Sequence, residues 1–281
     1  MSDMITITRR DFIATVAMAA GGTFAGCAGM RGGESALTVN GLRIGVQMWS
    51  IADIWKKNPV EAFRRLKALG YDGVQSVQFF LMDPGELEKM LGDSGLQIVD
   101  MPFRKAFVEP DRFNEYVEFC KRFKVDFVYE PRAKLSTAAE WRAHAEWLAS
   151  LAERFRPYGI RVGYHNHQHE LREHYEGKTP MEFLYDAGLA MELDVGHVKL
   201  ADGDPVRWLE RLNGRVPSIH AKPGGGNSVG GEGDANDWPA IFAAAAASGT
   251  RWAVVECETR RNTYADVEAS MAFLKGMKGA H

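Results

Sequence analysis

The chain reads as a (β/α)8 barrel, and three observations point there. Short apolar runs recur along it, each followed by an amphipathic, helix-like stretch. The runs start roughly 25 to 35 residues apart, as βα units require. Four late runs end in an acid–base or metal-ligating side chain: His165, Asp194, His220 and Glu256. In such barrels the carboxyl ends of the strands carry the chemistry. An open, doubly wound sheet has the same rhythm, but no Gly-x-Gly-x-x-Gly follows the first run, which removes the main reason for that fold.

The elements follow in order. Leu42 to Trp49 reads as the first strand, with a helix around Pro59 to Leu69 stopped by Gly70. Tyr71 to Val77 is the second, with a helix from Pro84 to Leu91 ending near Gly95. The third is Leu96 to Met101, followed by a helix from Asp111 to Phe123 that Asp111 is placed to cap. The fourth, Val125 to Tyr129, precedes a long helix from about Thr137 to Tyr158 that ends at Gly159. Ile160 to Asn166, Leu189 to Val195, Val216 to Ala221 and Trp252 to Glu256 complete the set. Helices lie between them at Pro180–Ala187, Pro205–Leu212 and Trp238–Ser248.

With 281 residues, 46% of them hydrophobic, the chain suits one sizeable domain. A net charge of −3 gives no electrostatic footprint for nucleic acid, and no apolar window reaches the length of a membrane span. The first residues form a separate object. Thr8-Arg9-Arg10-Asp11-Phe12, a short apolar run and Phe24-Ala25-Gly26-Cys27 resemble a twin-arginine (Tat) export signal ending in a lipobox. The expected division is a signal over 1–27, a flexible linker over 28–41 and the barrel over 42–281. Membrane attachment is then expected only through lipidated Cys27, and localisation is periplasmic. That leaves Cys120 and Cys257, which sequence alone gives no reason to pair.

The chemistry concentrates in the second half. Strand five ends Tyr164-His165-Asn166-His167-Gln168-His169-Glu170, and alternation puts His165 and His167 on one face. Strand six carries Glu192 and Asp194 on one face, with His197 after Gly196. Carboxylates inside a barrel are costly unless paired or metal-bound, so Asp194 reads as a ligand and Glu192 as a ligand or a deeper ion-pair partner. Strand seven gives His220 and Lys222, the latter either functional or in a structural ion pair. Strand eight gives Glu256. The segment Gly230-Gly231-Glu232-Gly233-Asp234 lacks a Walker lysine and reads as a mobile loop.

Taken together, Tyr164-His165-Asn166-His167 with Glu170, Glu192-Leu193-Asp194, His220-Ala221-Lys222, Gly231-Glu232-Gly233-Asp234 with Asp237–Phe242, and Val255-Glu256 resemble the xylose isomerase-like TIM barrels. More narrowly they resemble the sugar phosphate isomerase/epimerase members, related to inosose dehydratases and keto-sugar lyases. The resemblance implies one divalent cation, Mn²⁺ favoured with Co²⁺ or Zn²⁺ as alternatives, on His165, Asp194, His220 and Glu256. His165 stands where relatives have a glutamate, and Gln75 where many close strand two with one. It also implies substrate contacts at Glu170 and His197.

The implied chemistry is proton abstraction next to a carbonyl, with metal as Lewis acid and a positioned base. Replacing one glutamate by His165 argues against a symmetric two-base epimerisation and leaves lyase, isomerase and epimerase open. His167, Glu170, His197, Lys222 and Glu256 are the catalytic candidates, and His167, His197 or Lys222 could supply the acid. Export and the lack of a basic cluster favour an unphosphorylated keto-sugar, such as a 3-keto-glycoside, as the small-molecule partner. A homo-oligomer is compatible with this reading. The alternative is a non-catalytic periplasmic sugar-binding barrel using aromatics such as Trp49 and Phe103, with Trp55 also shaping specificity. A nuclease ranks last, because strands two and three offer no ligand histidines.

Overall fold

The computed structural model describes residues 38–258 and 264–278. The export signal, Cys27 and the linker before Thr38 lie outside the described residues. Strand β1 (Thr38–Val39) pairs antiparallel with β2 (Leu42–Gln47), so the end of the stretch read as linker is a hairpin arm. All further pairings are parallel. Strands β3 (Gly73–Gln75), β4 (Gln97–Ile98), β5 (Met101–Pro102), β6 (Phe127–Glu130), β7 (Arg161–His165), β8 (Ala190–Asp194), β9 (Ser218–Ala221) and β10 (Trp252–Val255) complete the sheet. Its order, β4-β3-β2-β10-β9-β8-β7-β6-β5, is a nearly closed (β/α)8 barrel in a single domain.

The third strand, expected as one piece over Leu96 to Met101, is two. β4 pairs with β3 and β5 with β6. Val99 packs inside the barrel with Trp252 and Val254, and the next residue, Asp100, also turns inward to Gln75 and Ser218. Successive side chains of a regular strand face opposite ways, so two inward neighbours require a break. Gly73 makes room for it: a Cβ there would lie 2.5 Å from Val99 Cγ2.

The helices are α1 (Ala52–Trp55), α2 (Pro59–Leu69), α3 (Pro84–Ser94), α4 (Phe113–Arg122), α5 (Ala138–Phe155), α6 (His169–Arg172), α7 (Pro180–Asp186), α8 (Val195–Leu200), α9 (Pro205–Arg211), α10 (Trp238–Ala247) and α11 (Ala265–Lys278). Asn58, Asp83, Thr137, Thr179, Asp204 and Asp237 each cap a helix by accepting backbone N–H groups. Gly70, at φ 108°, ends α2 as expected. Asp111 does not cap α4; the helix starts two residues later, after Arg112, without a side-chain cap. The short helices α6 and α8 carry too few apolar repeats to stand out in the sequence, whereas the eighth outer helix, α11, does carry one, with Val267, Met271 and Leu274 buried along one face. No helix among the described residues is long and apolar enough to cross a membrane. Cys120 and Cys257 are both buried and free.

The main apolar core lies between the sheet and the helices. Inside the barrel, Val99, Trp252 and Val254 form one small cluster and Phe127, Tyr129 and Ala190 another. The rest of the interior, toward the carboxyl ends, is polar.

Candidate metal centre

Strands β7 to β10 end beside one another, and they bring His165, Asp194, His220 and Glu256 together. One ligand-type atom from each lies within 4.8 Å of the others, and all four residues are buried. His220 Nδ1 lies 2.6 Å from Glu256 Oε2 and 3.8 Å from Asp194 Oδ2, while His165 Nε2 lies 3.9 Å from Asp194 Oδ2. Asp194 divides its two oxygens. Oδ1 caps α8 by accepting from His197 N at 2.7 Å, and Oδ2 has no hydrogen-bond partner. His220 Nδ1 is likewise buried without a properly aligned hydrogen bond. Two unpaired buried atoms, Asp194 Oδ2 and His220 Nδ1, beside the imidazole of His165 and the carboxylate of Glu256 suit a divalent cation, which would be held by these groups.

Beneath them lies a polar layer. Glu192, 0% exposed, accepts from the Gln75 amide through Oε1 and approaches both imidazoles through Oε2. Gln75 also donates to Asp100, accepts from Gln47 Nε2 at 2.5 Å, and lies 2.8 Å from His220 Nε2. Ser218 Oγ donates to Asp100 at 2.5 Å.

The rim holds the remaining candidates. Lys222 Nζ sits 3.0 Å from His197 Nε2 and 2.5 Å from Glu258 Oε1. An ammonium only donates, so His197 accepts at Nε2 and carries its proton on Nδ1. His167 lies between His165 and His197, edge-on to the first and tilted against the second, with ring centroids 4.8 and 4.9 Å away. Asn166 fastens the end of β8, accepting from Asp194 N at 2.9 Å and donating to Asp194 O at 3.2 Å. Gly196 lets α8 pass under the next strand end: a Cβ there would lie 2.6 Å from Lys222 O.

Charge distribution follows from burial and neighbours. Burial raises the carboxyl of Asp194, but the neighbouring His197 and Lys222 outweigh it and hold the group well below the usual carboxylate range. Against the same penalty, His220 and Lys222 hold Glu256 low, and His220 with His165 pulls Glu192 down to about 2. Asp100 goes the other way, raised by burial and by Glu192. Burial pushes His167 down to about 2 and also lowers His197. Lys222 is raised, because Asp194, Glu256 and Glu258 overcome its desolvation. His220 is raised, because Glu192 and Glu256 outweigh its burial.

Several expectations need correction. Glu170 is buried with both oxygens engaged: Oε1 accepts from Tyr164 OH at 2.6 Å and lies 3.0 Å from His169 Nε2, and Oε2 accepts from His167 N at 2.7 Å. Trp55 and Phe103 are core residues, packed against Phe79 and Trp147, and only Trp49 is exposed. The glycine-rich loop is tied together, since Asp234 accepts from Gly224 N, Gly230 N, Asn236 N and Trp238 Nε1. Asp100, Ser218 and Glu258 are site neighbours that sequence reasoning passed over. The even spacing of Ser218 and His220 on one strand face was a usable signal for Ser218; nothing marked Asp100.

A family model described as "Xylose isomerase-like TIM barrel" matches residues 63–277. The rhizopine catabolism protein MocC of Rhizobium meliloti is 28% identical over 145 residues, an alignment spanning 44% of this chain and 44% of MocC, under half of that relative. Among solved structures, a sugar phosphate isomerase/epimerase from Parabacteroides distasonis superposes with a TM-score of 0.70 at 21% identity, covering 85% of this chain and 95% of that one. A xylose isomerase-like TIM barrel protein from Mycobacterium smegmatis, in complex with magnesium, superposes at 0.57 with 15% identity over 83% and 95% of the two chains.

Proposed function

Because the chain belongs to the xylose isomerase-like TIM barrel family, whose members include sugar isomerases and epimerases, we propose that it is a metal-dependent enzyme acting on a keto-sugar by removing a proton next to a carbonyl. The observation that carries this reading is the convergence of His165, Asp194, His220 and Glu256 within 4.8 Å, with buried atoms left unpaired. A divalent ion bound there supplies Lewis acidity to adjacent substrate oxygens. Mn²⁺, Co²⁺ or Zn²⁺ suits two imidazoles and two carboxylates better than Mg²⁺ does.

The chain's own residues divide the remaining work. Glu256 is the most exposed of the four, at 9%, and is our candidate base. Lys222, held between His197 and Glu258, is the candidate acid. His197 offers its Nδ1–H as a donor to a substrate oxygen, and His167 lines the same wall. Glu170 is a positioning residue that fixes the backbone of His167. With one base and one acid, elimination from a 3-keto-glycoside is the favoured reaction. The base takes the proton beside the carbonyl, the glycosidic C–O bond breaks, and the departing oxygen takes a proton from Lys222. We further propose that the chain is exported by the Tat route and anchored through Cys27.

Elemental analysis of the purified wild type and Asp194→Ala tests the metal. About one Mn, Co or Zn per wild-type chain, lost in the variant, is the expected result. A 3-keto-glycoside in deuterium oxide should then release its aglycone; deuterium incorporation without cleavage would favour an epimerase or isomerase. A wild-type chain that neither contains nor takes up metal would move the reading to a sugar-binding barrel.

A further inference from the structure

The two imidazoles of the site present opposite ring nitrogens to it. His220 turns Nδ1 toward Asp194 and Glu256, whereas His165 turns Nε2 toward Asp194. The remaining nitrogens both face Glu192 Oε2, which lies 3.3 Å from His165 Nδ1 and 3.1 Å from His220 Nε2, while His220 Nε2 also lies 2.8 Å from Gln75 Oε1. A carboxylate oxygen has two acceptor sites, enough for one N–H from each ring. We infer that Glu192 is the positioning residue that sets both rings, so that His165 ligates through Nε2 and His220 through Nδ1, with His165 Nδ1–H turned to Glu192 Oε2 and His220 Nε2–H shared between that oxygen and Gln75 Oε1.

Glu192 is itself held. Its Oε1 accepts from the Gln75 amide and lies 3.4 Å from Ser218 Oγ. Gln75 is pinned in turn by Gln47 and Asp100. The register of the sheet places the group by construction, because Glu192 lies opposite His165 on one neighbouring strand and opposite Ser218 on the other. The ring centroids of His165 and His220 are 4.5 Å apart, close enough for one carboxylate beneath to serve both. A negative partner behind a ligating imidazole fixes its tautomer and raises its basicity. Here one glutamate faces both ligands, and the Gln75 oxygen is a second acceptor behind His220 alone.

The inference rests on the metal reading above, and the experiment separates the two. Full-length ¹⁵N-labelled protein is loaded with zinc, and the histidine tautomers are assigned by long-range ¹H–¹⁵N correlation. The expected result is a proton on Nδ1 of His165 and on Nε2 of His220. Zinc bound with the same ring nitrogen protonated in both overturns the inference alone; no zinc binding by the wild type overturns the metal reading and the inference with it. In parallel, zinc affinity of Glu192→Gln is measured by competition with a chelating dye, after circular dichroism has shown the variant folded. A loss on the order of 10–100-fold supports the role, and wild-type affinity overturns it. If the variant does not fold, the wild-type tautomers decide.

Discussion

Gln75 is one amide among carboxyl groups, and its chemistry there is specific. Its nitrogen donates to Asp100 and to Glu192, while its oxygen takes the Gln47 amide. Gln75→Glu removes both donors and adds a third carboxyl to a buried layer. It should cost about 1–3 kcal/mol in urea unfolding, the penalty for leaving such groups unpaired. Glu170 and His169 form a second polar unit with a definite pH signature. Burial raises Glu170, but His169 and Tyr164 outweigh it and lower its pKa, while the Glu170 hydrogen bond raises that of His169. The glutamate's contribution is therefore present above the ordinary carboxylate range and lost as pH falls through its depressed value. The histidine's contribution is present below its ordinary value of about 6.5 and lost as pH rises through the raised one. Melting temperature against pH should show both flanks, and Glu170→Gln should flatten them. At this scale the sequence was legible where a ligand-type residue closes an apolar run, as at His165, Asp194, His220 and Glu256. It was silent at Asp100, because only the broken strand turns that side chain inward.

Two elements carry the site on short supports. α8 starts at Asp194 and presents His197 from its first turn, with Gly196 passing under Lys222. Gly196→Ala drives a methyl into backbone that has no rotamer to escape with. It should destabilise by roughly 1–3 kcal/mol and lower kcat/KM on the order of 100-fold through displacement of His197; an unchanged kcat/KM would detach α8 from the chemistry. The loop after β9 depends on Asp234, whose carboxylate gathers four donors. Asp234→Ala should leave global melting nearly unchanged while limited proteolysis cuts between residues 224 and 236, where the wild type resists. Helices with an Asn, Asp or Thr cap and a glycine stop could be bounded from sequence because those residues report local backbone geometry. Strand ends could not, since the turn into a loop depends on what packs beneath. Trp49 illustrates this: it continues the apolar run of β2 but lies in a turn of 3₁₀ helix facing solvent.

At the scale of the whole molecule, stability and site occupancy should be linked. Three low-pKa carboxylates (Glu192, Asp194, Glu256) are buried at one end of the barrel, and a cation binding only the folded state at about 100 times its Kd adds about 2.7 kcal/mol. Chelation should therefore lower Tm by roughly 5–10 °C for a domain of this size, and Asp194→Ala should show no such response. The barrel itself was legible because eight βα periods are a long-range pattern that no single misread element can hide. The order of strands around it follows from that connectivity.

The interrupted third strand has one more effect. A closed barrel has no free edge, so it cannot begin to open at one strand without losing two ladders at once. Between β4 and β5 the hydrogen-bond ladder passes from one neighbour to the other across Val99 and Asp100, and each half holds on by two residues. This splice is where a breathing barrel would first part. Amide deuterium exchange over residues 97–101 should outpace every other strand of the barrel ring, so the carboxyl of Asp100 anchors the site's lower layer from the weakest stave of the barrel.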